Sequence, residues 1–343
     1  MTENSPACTV TVACNNICEH LIEAKDSRYI EYPRRLMVEL VGEHSLAYHI
    51  LLGDTAVLFD TGGMQKTLMH NLPAIDTHAG TTAAQIATIV LSHGHHDHVG
   101  SVVPFLAVRR EKEEGPIDFA CHPDAFAPRY RAEHMDTLDL PRPADGVAGL
   151  IESGELRKEK GIVASTVEKL GATIMQTKDP LLVFEDSGLD IKITTTGEIP
   201  RLVERGVGPT DLVIEHGDRI EQDWFADDQA LIIEKKGAFA AVLLGCGHAG
   251  IENTIAQAKT ITQLPIRLVA GGFHMVGAPP EVISRKVEFL ETLAAEGTGC
   301  DGPEKLILRP CHCAGEAFYL SLKSRASDLL DVERLPVGTR IRI

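Results

Sequence analysis

No stretch of this chain approaches the roughly 18 apolar residues that a membrane-spanning helix needs, so a membrane protein of that kind is not expected. An excess of positive charge is also missing. The chain has 33 Lys and Arg against 49 Asp and Glu, a formal net charge of −16, and no basic stripe interleaved with aromatics. A negative surface repels phosphate backbones, which argues against a nucleic-acid partner. The first twenty residues lack a basic start followed by an apolar run and hold Glu3, Asn4, Asn15, Asn16 and Glu19 instead, so no secretory leader is expected. The eight cysteines lack the regular spacing of a small disulfide scaffold. Repeats and low-complexity tracts are absent as well. These absences fit a soluble cytoplasmic setting and leave the oligomeric state open.

What is present is an ordinary globular composition. The chain has 343 residues, 44% of them hydrophobic and 24% charged, enough to bury a sizeable core. β-branched and apolar runs predict strands at 9–14, 36–41, 46–52 and 55–59, with Gly53-Asp54 as a hairpin turn. A buried strand is expected at 87–91, then a helix over about 98–109 and a strand at 117–121. From 124 to 190 the chain is charged and proline-punctuated, too long for a plain loop, with an amphipathic stretch at 162–170. It reads as an insertion or lid within a single domain spanning 1–343. Order resumes with apolar strands at 191–195, 230–234, 239–244, 266–270 and 305–308, and helical patterns at 251–259 and 280–295. This succession suggests an α/β fold of two sheets between outer helices, an αββα sandwich with an inserted segment.

The chemistry concentrates in Ser92-His93-Gly94-His95-His96-Asp97-His98-Val99-Gly100, directly after an apolar strand. His93 and His95 are two apart, so an extended segment projects both to one side, where they can grip one ion. Asp97 and His98, where the chain turns into a helix, can reach a second ion close by. Imidazole suits zinc and iron, and the carboxylate tolerates harder metals. His96 points the other way and reads as bystander.

This His-x-His-x-Asp-His pattern resembles the signature of the metallo-β-lactamase superfamily. The resemblance implies a four-layer αββα sandwich with metals at one sheet edge. It also matches Phe59-Asp60-Thr61-Gly62 to a strand-end aspartate that orients the metal loop, which assigns that role to Asp60. The remaining ligands must then come from later strand ends. Gly245-Cys246-Gly247-His248 and Pro310-Cys311-His312-Cys313 each place a histidine just past an apolar strand, giving His248 and His312. His274, in Gly271-Gly272-Phe273-His274, reads equally as a ligand or substrate contact and as a structural residue. The same two readings stay open for His122, at the end of the 117–121 strand. Cys246, Cys311 and Cys313 flank the histidines, and in an extended segment Cys311 and Cys313 would face away from His312. They read as buried supporting residues.

Five stretches together resemble a narrower branch, the dihydropterin–ribofuranosylaminobenzene phosphate synthase-like proteins. They are 195–201 (Thr-Thr-Gly-Glu-Ile-Pro-Arg), 228–231 (Asp-Gln-Ala-Leu), 245–251, 271–274 and 310–313. Two departures from the common hydrolase pattern accompany this resemblance. A third histidine is missing near Thr196-Gly197-Glu198, and the Cys246–His248 segment replaces a metal-bridging aspartate. Glu198 then reads as a ligand, as a general base, or as a carboxylate paired with Arg201 on a turn.

The resemblance implies two divalent ions, zinc by default with iron, manganese and nickel open, and a small anionic substrate bearing a phosphate, diphosphate or ester. Hydrolysis by a metal-bound hydroxide, or synthase-like transfer with loss of diphosphate, would follow. Asp97 would hold the attacking water, and His274 or Glu198 would protonate the leaving group. The competing reading is a non-catalytic ligand sensor that keeps its metal for structure.

Overall fold

The computed structural model describes residues 8–19, 25–33, 40–79, 86–203, 211–296, 305–326 and 328–343. Of the strand expected at 36–41, residues 36–39 lie outside these. The chain opens with β1 (Cys8–Cys14), β2 (Ile30–Glu31) and the hairpin β3 (Ala47–Leu52)–β4 (Thr55–Phe59). That hairpin pairs Leu52 with Thr55 across a two-residue turn, and Gly53 takes the positive φ (58°) such a turn needs. Then come α1 (Gln65–Ala79), β5 (Ile86–Val90), α2 (His96–Val99), α3 (Val102–Glu111) and β6 (Ile117–Cys121). The middle contributes β7 (Arg129–Ala132), β8 (Arg142–Pro143), α4 (Val147–Glu152), β9 (Leu156–Lys158), α5 (Ala164–Lys169) and β10 (Ala172–Gln176). Next are β11 (Leu182–Asp186), β12 (Ile191–Thr195), β13 (Leu212–His216), β14 (Arg219–Gln222), β15 (Ala230–Lys235) and β16 (Phe239–Leu244). The chain ends with α6 (Ile251–Ile261), β17 (Ile266–Gly271), α7 (Pro280–Glu296), β18 (Leu306–Pro310), α8 (Glu316–Ser324), β19 (Leu330–Val332) and β20 (Arg340–Arg342).

Among the described residues, three sheets result. One has eight strands in the order β10-β6-β5-β4-β3-β1-β20-β2, and a second has seven in the order β11-β12-β15-β16-β17-β18-β19. Their strands alternate in the way a two-sided burial demands. Leu231 and Ile233 of β15 join Val10, Tyr48, Ile50 and Phe59 in the core between the sheets. Ala230 and Ile232 of the same strand face outward, onto Ile255, Val287, Leu290 and Phe318 of α6, α7 and α8. On the far side, Leu58, Ile89 and Phe119 pack against Leu68, Leu72, Phe105 and Leu106 of α1 and α3. Each such buried side chain stabilises the fold by roughly 1.5–3 kcal/mol. The expected α/β/β/α layering is therefore present.

Two expectations need correcting. The helix expected over 98–109 is broken at Gly100-Ser101 into α2 and α3. Pro104, which cannot pair with the Gly100 carbonyl and would clash with it, is tolerated only in the first turn of α3. The chain also crosses here, since a Cβ on Gly100 would sit 2.1 Å from the Gly63 carbonyl oxygen. The segment 124–190 does not stay together either. Its later strands join the main sheets, β10 parallel to β6 and β11 antiparallel to β12. Its earlier strands combine with a hairpin from further along into a third sheet, β8-β14-β13-β7-β9. That sheet has a small core of its own, including Tyr130, Leu150, Leu156, Val213 and Ile220. Among the described residues, no helix is long and apolar enough to cross a membrane.

Candidate metal centre

The parallel strands β4, β5, β16, β17 and β18 end at one edge of the sandwich, and the loops after them carry the polar residues. Asp60, directly after β4, takes a positive φ of 60° and is fully buried. One oxygen of its carboxylate accepts from the Ser92 N–H, and the other from Ser92 Oγ and His98 Nδ1, each at 2.7 Å. The carboxylate thus holds both ends of the loop after β5. With Nδ1 engaged, His98 turns Nε2 toward Cys246 Sγ at 3.1 Å and His312 Nε2 at 3.3 Å.

Three groups of potential metal donors meet here, with the ligand atoms of each group lying within 4.8 Å of one another. One comprises Asp97, His98, Cys246 and His312, the second His93, Cys246 and His248, and the third Cys246, His274 and Cys313. Cys246 is common to all three. Its Sγ also lies 3.3 Å from His312 Nε2. Asp97 Oδ2 stands 3.3 Å from His312 Nε2 and 3.8 Å from His98 Nε2.

His95 belongs to none of these groups, though its ring lies 4.6 Å from that of His93 and 5.1 Å from that of His248. Glu198 and His122 lie outside them too and contact each other, Nε2 to Oε2 at 3.2 Å. The other nitrogen of His122 accepts the Asp124 N–H. Glu198 also pairs with Lys178 at 3.0 Å. Arg201, the partner expected for it, donates to the carbonyls of His248, Trp224 and Phe225. His274 adopts φ 48°, and its ring approaches that of His248 to 4.2 Å. His96 packs at Gly100.

The cysteine expectation needs revision. The segment Cys311-His312-Cys313 is not extended, because His312 has φ 52° and opens a short 3-10 turn, His312–Ala314. His312 and Cys313 therefore both reach the cluster, while Cys311 turns its Sγ toward the Tyr48 hydroxyl at 3.9 Å. Sequence reasoning also passed over His44, Phe225, Asp223 and Arg129. His44 stacks on His312 at 5.0 Å and faces Asp97 Oδ2 at 3.8 Å. Phe225 lies flat on His248, ring centres 4.0 Å apart. Residues distant in the chain give no spacing signal, and only the fold brings these together.

Electrostatics follow from burial. Desolvation, then the neighbouring imidazoles, holds His93 and His248 well below the ordinary histidine range. Both rings are therefore neutral, with lone pairs free to ligate. For Asp97, burial opposes ionisation, but His98 and His312 outweigh it and keep the carboxyl well below its usual range. Burial likewise opposes charge on His98, and Asp60 with Asp97 outweighs it, raising His98 to about 9. Burial pushes the Cys246 thiol well above its ordinary value; a cation beside it would reverse that, since a coordinating thiol is deprotonated.

The donor set fits a divalent metal. His93 Nε2, both nitrogens of His248 and His274 Nδ1 are buried without a hydrogen-bond partner. An unsatisfied buried polar atom costs about 1–3 kcal/mol, and a bound cation is what would satisfy several imidazoles and a thiolate at once. Nitrogen, sulfur and one carboxylate oxygen together suit zinc or iron better than magnesium or calcium.

Comparison with known proteins bears on the fold and the family. The chain is 24% identical to the uncharacterized protein MJ0448 of Methanocaldococcus jannaschii over 273 residues, covering 80% of this chain and 84% of that protein. Its fold is similar to that of Tm1679, described as a metal-dependent hydrolase of the β-lactamase superfamily, with a TM-score of 0.66, 19% identity, and coverage of 98% and 99% of the two chains. The family model of the metallo-beta-lactamase superfamily matches residues 41–219, more than half of the chain and the part holding Asp60 and the His93–His98 loop. By that match this chain belongs to the metallo-β-lactamase superfamily.

Proposed function

We propose that the chain is a metal-dependent enzyme using two divalent ions, zinc by preference, on a small anionic substrate in the cytoplasm. The observation that carries this reading is the position of Cys246 Sγ. It is shared by a group with Asp97, His98 and His312 and by a group with His93 and His248. A thiolate there would take the part of the bridging aspartate that the resemblance to the superfamily implies, so two ions could share it. When bound, such ions polarise a substrate oxygen and lower the pKa of water to near neutrality.

The chain's own residues supply the rest. His93 and His248 act as neutral ligands, and His312 and His98 flank Asp97. Asp60 fixes the direction of His98 through Nδ1. The Asp97 carboxylate, ionised and partly exposed, can accept a hydrogen bond from an attacking water and hold it in place. His274, at the rim of the cluster, can deliver a proton to a leaving group. Glu198, paired with His122 and Lys178, is placed for a supporting role rather than for that proton. The charge of two cations overrides the negative surface locally and favours an anionic substrate.

Hydrolysis is the reading that the superfamily favours. The stretches 195–201, 228–231, 245–251, 271–274 and 310–313 support the alternative of synthase-like transfer with loss of diphosphate. The test begins with elemental analysis of protein purified without added metal, followed by turnover assays on phosphodiester, lactone and diphosphate substrates. Two equivalents of metal and turnover of one class are expected. Asp97→Asn is expected to lose roughly a hundredfold or more of that turnover while keeping its circular dichroism spectrum. Undiminished turnover in the variant would overturn the assignment, and bound metal with no turnover on any class would favour a ligand sensor.

A further inference from the structure

The third sheet touches the metal loop at its back. Gly94, between His93 and His95, donates its N–H to Asp227 Oδ2 at 2.8 Å. The same oxygen accepts Arg129 Nη2 at 2.8 Å, and Arg129 Nε reaches Asp223 Oδ2 at 2.7 Å. Asp223 Oδ2 in turn faces His95 Nε2 at 3.9 Å. Arg129, Asp223 and Asp227 are 5%, 1% and 0% exposed, so this is a buried network. Arg129 comes from β7, and Asp223 directly follows β14, both strands of the third sheet. The contact is tight: a Cβ on Gly94 would lie 2.4 Å from the Ala125 carbonyl oxygen and 2.5 Å from Arg129 Nη1.

Charge counting gives the network its direction. Two buried carboxylates share one guanidinium, leaving one negative charge over, and such a surplus inside a protein requires donors. The donors facing it are the Gly94 N–H, the Phe225 N–H, which reaches Asp223 Oδ1 at 2.8 Å, and the His95 ring. His95 Nε2 is buried and has no hydrogen-bond partner, yet of its surroundings it is Asp223 that it faces. A carboxylate opposite one ring nitrogen draws the proton of a neutral imidazole to that nitrogen and leaves the lone pair on the other. The ring itself is wedged between His93, His248 and Phe225, so it has little freedom to turn.

We infer that the third sheet is a positioning device for the metal loop. Asp223, held by Arg129, keeps the His95 proton on Nε2, so that Nδ1 is the atom offered to metal beside His93 and His248. His95 thereby joins the second donor group when metal arrives. This inference rests on the metal reading above. Asp223 and Arg129 act through His95 and do not themselves touch the reacting atoms.

The test uses the full chain loaded with Zn²⁺. Long-range ¹H–¹⁵N correlation spectra of histidine-labelled protein report which ring nitrogen carries the proton. For His95, assigned through a His95→Gln control, the expected pattern is a protonated Nε2 and a metal-shifted Nδ1. Asp223→Ala is expected to weaken Zn²⁺ at one of two sites by 10- to 100-fold in chelator competition and to shift the visible absorption of the Co²⁺-loaded protein. Asp223→Glu should restore part of that affinity, which a purely structural role would not require. If Asp223→Ala does not fold, the wild-type spectrum still decides. A His95 protonated on Nδ1, or unchanged affinity in Asp223→Ala, overturns the inference while leaving the metal site standing. A wild-type chain that binds no Zn²⁺ would remove the metal reading itself, and this inference with it.

Discussion

His49 shows how far burial alone can move a side chain that is not part of the donor groups. It sits on β3 with no exposed surface, and desolvation lowers its pKa from 6.5 to about 4. The unfolded chain therefore takes up this proton more readily than the folded one. The contribution of His49 to stability is accordingly complete above pH 6.5 and is lost as pH falls through the interval from 6.5 to 4. Its size is about 3 kcal/mol, at roughly 1.4 kcal/mol for each tenfold change in proton affinity. A His49→Gln variant is expected to have a flatter melting-temperature profile than wild type across that interval. Parallel profiles would show that another group carries the acid sensitivity. At this same scale, the donor residues differ in how legible they were. His93, His95, Asp97 and His98 stand within six positions, so spacing alone marks them. Cys313 escaped because its placement depends on the positive φ of His312, which an extended reading of Cys311-His312-Cys313 does not contain, while Cys246 was read as a buried supporting residue although its segment was singled out.

At the scale of elements, strands such as β4, β15, β16 and β17 could be read from apolar runs because they are buried on both faces, whereas the short or partly exposed β2, β10, β11, β19 and β20 were not expected. The break between α2 and α3 carried a local signal that the continuous-helix reading passed over. Pro104 has no N–H, and in an unbroken helix its ring would clash with the Gly100 carbonyl, so it fits only the first turn of α3. What the local pattern does not show is that Gly100 crosses Gly63, some forty positions away. Gly100 has ordinary helical φ and ψ of −61° and −26°, so it is required for space and not for backbone freedom. The Ser101 N–H also donates to the Gly62 carbonyl at 3.3 Å, which ties the two loops at their crossing. Gly100→Ala is therefore expected to push the loop carrying Gly62 and Gly63 away from the metal loop. The cost should be about 1–3 kcal/mol of stability, as for other overpacked sites. Thermal unfolding measures that loss. A stability equal to wild type would mean that the crossing relaxes freely. The third sheet was illegible for a related reason: its strands come from 129–158 and 212–222, and no local pattern joins two such distant segments.

On the scale of the whole molecule, the donor groups join the two halves of the sandwich. Asp60 and the loop His93–His98 extend from the eight-stranded sheet, whereas Cys246, His248, His274 and His312 extend from the seven-stranded one. Bound ions would cross-link the sheet edges, and any ligand that binds only the folded state stabilises it by mass action. At free metal a thousandfold above Kd that contribution is about 4 kcal/mol, enough to move the melting temperature by several degrees in a chain of this size. Metal removal also leaves buried imidazole nitrogens such as His93 Nε2 without partners and restores the full net charge of −16. Chelation is thus expected to lower the melting temperature and to speed amide exchange in the loops after β5, β16, β17 and β18. The core of the third sheet around Val213 and Ile220, which contains none of the donors, should keep its protection. Exchange measured with and without chelator checks both halves of this expectation. Uniform loss of protection across all three sheets would mean that the ions hold the global fold together, whereas no change at the loops would mean that these groups do not bind metal. Only the local pattern is consistent with a site that two rigid sheets build at their shared edge and a third sheet braces from behind.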